Sequence, residues 1–169
     1  YWQSYKYFED IWKDIEDEFI ISTPPTDQNK RTANKIINNK NTVGIHVRRG
    51  DFDKQGSSLP AEYYNKCIDK ISSEISEAKF FVVSNDTQWA KNNLSGNRSL
   101  EVINHNDGSK DYEDFRLLRL CDNQVISNST FSWWAAWLNK SQSKKILYPV
   151  EDHNVNFDYY PNTWEGVSY

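Results

Sequence analysis

Short β-branched runs alternate with helix-length amphipathic stretches along this chain, and no Asn-Gly or similar hairpin signal joins one run to the next. The runs fall at residues 42–48, 79–84, 99–103, 124–126 and 145–148, the last closed by Pro149. Between them, residues 59–75, 87–94, 111–121 and 131–139 read as helices, with Tyr64, Cys67, Ile68, Ile71 and Ile75 marking one apolar face. Strands separated by helices of this length pair in parallel, so the expected fold is α/β, a parallel sheet with helices on both faces.

The flanks are read differently. Residues 1–19 set Tyr5, Phe8, Ile11, Trp12, Ile15 and Phe19 at helical spacing, and Thr23-Pro24-Pro25 stops that amphipathic helix. Residues 27–40 are polar and lead into the sheet as a short helix or loop, and residues 53–58 read as a flexible loop. The expected organisation is a helix and connecting segment over 1–40, the sheet domain over 41–150, and a tail over 151–169 with a turn near Trp164 that packs on the domain. The chain has no Met and opens in helical character, so it is read as a piece of a longer protein. No apolar run approaches the roughly 20 residues of a membrane span.

A net charge of −4 and a pI near 5.4 argue against a nucleic-acid-binding face. An Arg pair in an acidic chain points instead to one anionic ligand at a defined place. Cys67 and Cys121 show no ligand or redox spacing and read as buried thiols.

Open parallel sheets bind ligands beyond the carboxyl ends of their strands. Those ends carry His46 to Asp51, Ser84-Asn85-Asp86, Asn104-His105 and Ser127-Asn128-Ser129-Thr130, which gathers most of the polar clusters on one edge. Alternation puts Gly44, His46 and Arg48 on one face and Arg49 on the other. His46 and Arg48 can therefore share a ligand, while Arg49 pairs with a carboxylate and fixes the turn. Asn128-Ser129-Thr130 precedes a helix whose free N–H groups suit a phosphate, although an ordinary N-cap has the same sequence. There is no G-x-G-x-x-G and no Walker loop. Asp51-Phe52-Asp53 spells D-x-D, which can hold a metal on a nucleotide diphosphate, but no second cluster of acids or His completes a ligand set. Asp122 can accept from a guanine edge or merely solvate a helix end. Phe131, Trp133, Trp134 and Trp137 make a helix apolar on two sides, which reads as core.

His46-Val47-Arg48-Arg49-Gly50-Asp51 resembles the H-x-R-R-G-D motif of the α-1,2-fucosyltransferase family, inverting glycosyltransferases that use GDP-fucose. Phe81-Val82-Val83-Ser84-Asn85-Asp86 is similar to their F-x-x-S-D-D motif, with Asn85 in place of the first acid. Residues 127–138 are similar to their third motif almost throughout, and residues 1–7, Asp114-Phe115 and Leu117 to Cys121 also match. The resemblance implies a Rossmann-like domain, the C-terminal half of a two-domain (GT-B type) enzyme, with the glycine-rich G-x-G-N-Q segment of the N-terminal half absent here.

The resemblance further implies that Arg48 contacts the β-phosphate of GDP-fucose and His46 lies near the nucleotide. Asn128, Ser129, Thr130, Phe131 and Ser132 line the diphosphate and fucose, and Arg49 and Asp86 belong to the same donor site. Asp122 is the acid that reads guanine, and Asp51 is the candidate catalytic acid beside Arg48. No metal and no cofactor beyond the donor are implied. The partners are GDP-fucose, a galactose-terminated glycan and the missing N-terminal domain, and the location is cytoplasmic, at the inner face of a bacterial membrane. The rival readings are a nucleotide-sugar-binding module without turnover, a metal-dependent transferase using Asp51 and Asp53, and an interaction protein working through the aromatic helix.

Overall fold

A computed structural model describes residues 4–94, 100–150 and 159–169. Six strands form one sheet: β1 (Thr42–Val47), β2 (Lys79–Ser84), β3 (Leu100–Ile103), β4 (Asn123–Val125), β5 (Ile146–Val150) and β6 (Glu165–Ser168). Every pairing is parallel, in the order β3-β2-β1-β4-β5-β6. From β1 the chain runs outward through β2 and β3, then returns to β1's other side as β4. The order therefore reverses between β1 and β4, the switch point at which such Rossmann-like sheets open a crevice.

Among the described residues seven α-helices accompany the strands: α1 (Trp12–Glu18), α2 (Asp27–Ile37), α3 (Asp51–Gln55), α4 (Ala61–Glu74), α5 (Thr87–Asn93), α6 (Asp111–Leu120) and α7 (Thr130–Trp137). β1 is buried along its whole length because both of its faces are covered. Val43, Ile45 and Val47 face Tyr63, Tyr64, Cys67 and Ile71 of α4. On the opposite face, Phe81 and Val83 of β2 pack with Ile36, Leu117, Leu118 and Ala135 from α2, α6 and α7. Each such buried side chain contributes about 1.5–3 kcal/mol relative to exposure. Gly44 is needed here, since a Cβ on it would meet Leu118 Cδ2 at 3.0 Å and Cys121 Sγ at 3.3 Å. Both cysteines are free and buried, as expected.

Four segments depart from the sequence reading. The expected helix over residues 1–19, of which 1–3 lie outside the described residues, is two 3-10 turns followed by the short α1. Only part of its apolar stripe docks: Phe8 stacks on Trp134 at 5.0 Å and Phe19 on Trp134 at 4.9 Å, while Ile11 and Trp12 stay 48% and 47% exposed. Residues 27–37 form a full helix, with Thr26 Oγ1 accepting from the Asn29 N–H as N-cap. The supposed loop after the Arg pair is largely α3. It starts after Gly50 at φ +66°, where the Asp53 carboxylate accepts the Gly50 N–H, and ends at left-handed Gly56.

At the other end of the chain, the turn at Trp164 is present, its N–H donating to the Pro161 carbonyl, and it leads into β6. β6 can lie against β5 because residue 166 is glycine, for a Cβ there would come within 2.5 Å of Val150. Pro149 extends β5 rather than closing it, opposite Val167 and beyond the last β4 pairing at Leu147.

Candidate functional site

A polar cleft of about 320 Å³ opens at the carboxyl edge of the sheet, beside the switch point. Its walls come from the ends of β1 and β2 (His46, Arg48, Ser84, Asn85), the loop after β3 (Asn104, Asn106, Asp107), and the first turns of α6 and α7 (Asp111, Asp114, Phe131). Each of β1 to β4 delivers the chain to this edge, where the following helix begins, so several sequence-distant polar groups converge.

The Arg pair divides as alternation requires. Arg48 lines the cleft, holding one carboxylate, Nη2 to Asp51 Oδ2 at 2.8 Å, with its plane near Phe52. Arg49 turns away. It pairs with Asp53 at 2.5 Å, donates to the Leu59 carbonyl, and lies 4.3 Å from the Trp89 ring centroid. Nε of each is buried and meets no acceptor among the described residues, and of the two residues Arg48 is the one that lines this cleft. Asn85 clamps the turn between them, accepting from the Arg49 N–H at 2.7 Å and donating to the Arg49 carbonyl at 2.9 Å. The Arg48 guanidinium holds the exposed Asp51 carboxyl below its ordinary range, so Asp51 is a weak base in this setting.

His46 is buried with Nδ1 2.9 Å from Ser127 Oγ, and its ring centroid lies 5.0 Å from that of Phe131. Burial, then the nearby Arg48 charge, push its pKa down to about 3, which keeps the ring neutral near pH 7. Ser129 is the N-cap of α7, its Oγ accepting from the Phe131 N–H. Thr130 and Phe131 form the first turn of α7, and Phe131 borders both this cleft and an apolar one of about 700 Å³ that includes Phe19, Phe115 and Trp134.

Several expected residues play supporting parts instead. The Ser132 side chain is fully buried, its hydroxyl directed at the Ser127 and Ser129 carbonyls. Asn128 donates to the Ser57 carbonyl and ties the loop after α3 to the start of α7. Asp86 caps α5, accepting from the Trp89 N–H at 2.8 Å. Asp122 does not reach this edge at all. It sits at the amino end of β1, accepting from the Thr42 N–H at 2.9 Å and hydroxyl at 3.1 Å. The reason is topological: α6 runs back from the carboxyl edge, and its 10 residues at 1.5 Å each carry the chain about 15 Å away before Asp122.

Of the three acids that line the cleft, Asp107, Asp111 and Asp114, the last lies in the first turn of α6 and is the one whose carboxyl is shifted upward. It accepts from Asn106 Nδ2 at 2.6 Å, and burial raises its pKa to about 6, with Asp111 and Glu113 adding repulsion. Asn106 also exchanges hydrogen bonds with Asn29, whose amide oxygen lies 2.9 Å from His105 Nε2. α2 is thereby latched to the cleft loop, a second latch being the buried Glu113, which accepts from the Thr26 N–H. An acid one turn after a polar loop that follows a strand is the sequence signal that marks Asp114.

A six-stranded parallel sheet of this order, with its polar cleft at the switch point, is consistent with the Rossmann-like fold of a glycosyltransferase. Residues 1–168 match the family described as Glycosyl transferase family 11, and the chain belongs to that family. It is 36% identical to the O-antigen biosynthesis glycosyltransferase WbnK of Escherichia coli, over 68% of this chain and 40% of that protein. It is 28% identical to an alpha-1,2-colitosyltransferase of Escherichia coli, over 99% of this chain and 61% of the relative. It is 25% identical to galactoside alpha-(1,2)-fucosyltransferase 1 of Ateles belzebuth, over 80% of this chain and 40% of the relative. The chain thus spans about two fifths to three fifths of the length of these relatives. Among the described residues no helix is long and apolar enough to cross a membrane.

Proposed function

We propose that this chain is the donor-binding part of an enzyme that transfers L-fucose from GDP-fucose to the 2-hydroxyl of a galactose, with inversion and without a metal. The observation that carries the reading is the convergence, in one cleft, of Arg48, the start of α7 and a half-buried carboxylate, Asp114. The bond that forms joins galactose O2 to fucose C1. The bond that breaks joins C1 to the β-phosphate oxygen, and its electron pair leaves with GDP. The galactose O2 proton passes to a base, which we place in the rest of the protein because Asp51 is weakened by Arg48.

Negative charge then grows on the β-phosphate. Arg48 and the first-turn N–H groups of α7 stabilise it, by about 3 kcal/mol for a well-aimed donor. Asp51 holds the guanidinium in place rather than reacting, and it and Asp53 are each engaged by an arginine, which favours charge stabilisation by guanidinium over metal. Asp114 takes the guanine-reading part first expected of Asp122, accepting from the base's N1–H. The site lies on the cytoplasmic side of the membrane in this reading.

The test is turnover by the full-length protein with GDP-fucose and β-galactosides, in chelator, with the product linkage read by NMR. A β-linked donor giving an α-1,2 product is the expected result. Transfer to another position, retention at C1, or loss of activity in chelator would each overturn the corresponding part.

A further inference from the structure

A buried relay stands behind the cleft. Nδ1 of His46 lies 2.9 Å from Ser127 Oγ, and Ser127 Oγ lies 3.3 Å from Ser132 Oγ. Ser132 Oγ in turn lies 3.2 Å from the Ser127 carbonyl and 3.1 Å from the Ser129 carbonyl. All three side chains are buried, at 4%, 1% and 0% exposure, so water does not complete the set.

The order of protons along the relay follows from what each atom can do. Carbonyl oxygens only accept, and a serine hydroxyl has one hydrogen to give. Ser132 gives its hydrogen to a carbonyl. A hydrogen between the two hydroxyls must then come from Ser127, which leaves Ser127 to accept from His46. Nδ1 therefore carries the ring hydrogen and Nε2 a lone pair. The reverse order sets the Ser132 oxygen against two carbonyl oxygens with no hydrogen between them. Because the ring is neutral, this single contact decides its tautomer.

His46 lines the cleft, and its Nε2 has no hydrogen-bond partner among the described residues. Among the acceptors that line the cleft are Nε2 and the Asp114 carboxylate. Adenine answers them badly, since its 6-amino group sits beside a bare ring nitrogen. Guanine brings N1–H and a 2-amino group with two hydrogens. Asp114 can take N1–H, which leaves the 2-amino group for His46.

We infer that Ser127, backed by Ser132, is a positioning residue that fixes His46 as an acceptor toward the cleft, so that His46 recognises the 2-amino group of guanine. The inference rests on the donor reading above and adds the residue that sets base specificity. It predicts discrimination between GDP and inosine diphosphate, which differ only in that amino group. One lost hydrogen bond to a neutral acceptor is worth about tenfold in affinity.

The experiment is calorimetric titration of the whole chain with GDP and with inosine diphosphate, beside ¹⁵N NMR of the histidine ring, assigned with His46→Gln. The wild type is expected to show the Nδ1–H pattern and to prefer GDP by about tenfold. In Ser127→Ala the ring moves toward Nε2–H, GDP binding falls about tenfold and inosine diphosphate binding stays within about twofold, erasing the preference. Ser132→Ala, which removes only the acceptor of the Ser127 hydrogen, shifts the same two readouts in the same direction and serves if Ser127→Ala does not fold. An Nε2–H ring in the wild type, or a preference for GDP that survives both variants, overturns the assignment of Ser127 while leaving the donor reading standing. A chain that binds neither nucleotide, with the Nδ1–H ring intact, overturns the donor reading and base recognition with it.

Discussion

At the end of β1 the chain sends two adjacent guanidiniums to opposite sides of the strand, into regions with different amounts left over. On the Arg49 side, an ion pair to Asp53, a bond to the Leu59 carbonyl and the Trp89 ring occupy the group, and its side chain is 17% exposed. On the Arg48 side there is one carboxylate contact, 30% exposure and a cleft. Each arginine keeps a buried Nε without an acceptor among the described residues, but only the second region opens on the cleft. In the proposed reading, a structural arginine and a ligand-binding one differ in the partners the fold gives them, not in residue type.

Substitutions at the two positions should therefore part cleanly. Arg48→Ala in the full-length enzyme is expected to lower kcat about 10²–10³-fold with little change in melting temperature. Arg48→Lys should not restore turnover, since a point charge cannot reproduce a planar fork. If kcat survives Arg48→Ala, the division is wrong.

Asp114 sharpens the same contrast, because it too is a cleft group left without a cation. Asp114→Asn is expected to weaken GDP binding about 10–100-fold, the cost of charge-assisted bonds, when measured by titration. The same variant should be more stable than wild type at pH 7. The folded-state pKa near 6 lies above the ordinary 3.8, so this group's contribution to wild-type stability is fullest at acid pH and is lost as pH rises through about 6, by about 2–3 kcal/mol in all. Asn pays no such cost. GDP affinity runs the opposite way, level above about pH 7 and falling below about pH 6 as the carboxylate protonates, in step with the raised pKa. Urea unfolding and titration across about pH 4.5–8 read both trends.

Arg49→Ala should do the reverse of Arg48→Ala. The expected effect is a loss of about 1–3 kcal/mol in urea unfolding, discounted for the partial exposure of Asp53. Smallest of all, Asp122→Asn should leave GDP affinity within about twofold and cost about 1 kcal/mol of stability through the Thr42 contacts.

The two acids also show how far the sequence could be read. β1 and β2 were legible because β-branched and aromatic residues in runs of this length fit a sheet covered on both faces, and the strand ends then pointed to the cleft. Asp114 and Asp122 lie on either side of one helix, and choosing between them needed only its direction: an acid that precedes a strand belongs to the amino edge. β6 was less legible, since its place depends on a missing side chain, at Gly166, meeting Val150 and Tyr148 from a different strand. In the first segment, helical spacing over-predicted order because part of the apolar stripe, Phe8 and Phe19 above all, finds aromatic partners on α6 and α7 while Ile11 and Trp12 stay exposed. The part of Ser127 and Ser132 was hidden for a similar reason, as a relay of hydroxyls has no spacing rule and appears only when β4 and α7 are brought beside β1.

The central claim is that the cleft beside Arg48 holds the diphosphate of a guanosine nucleotide. Its most direct measurement is calorimetric titration of the chain with GDP, for the wild type and for Arg48→Ala and Arg49→Lys side by side. Saturable binding that Arg48→Ala abolishes, and that Arg49→Lys retains in a folded protein, is the expected result. Binding of equal strength in Arg48→Ala, with the fold intact, would contradict it.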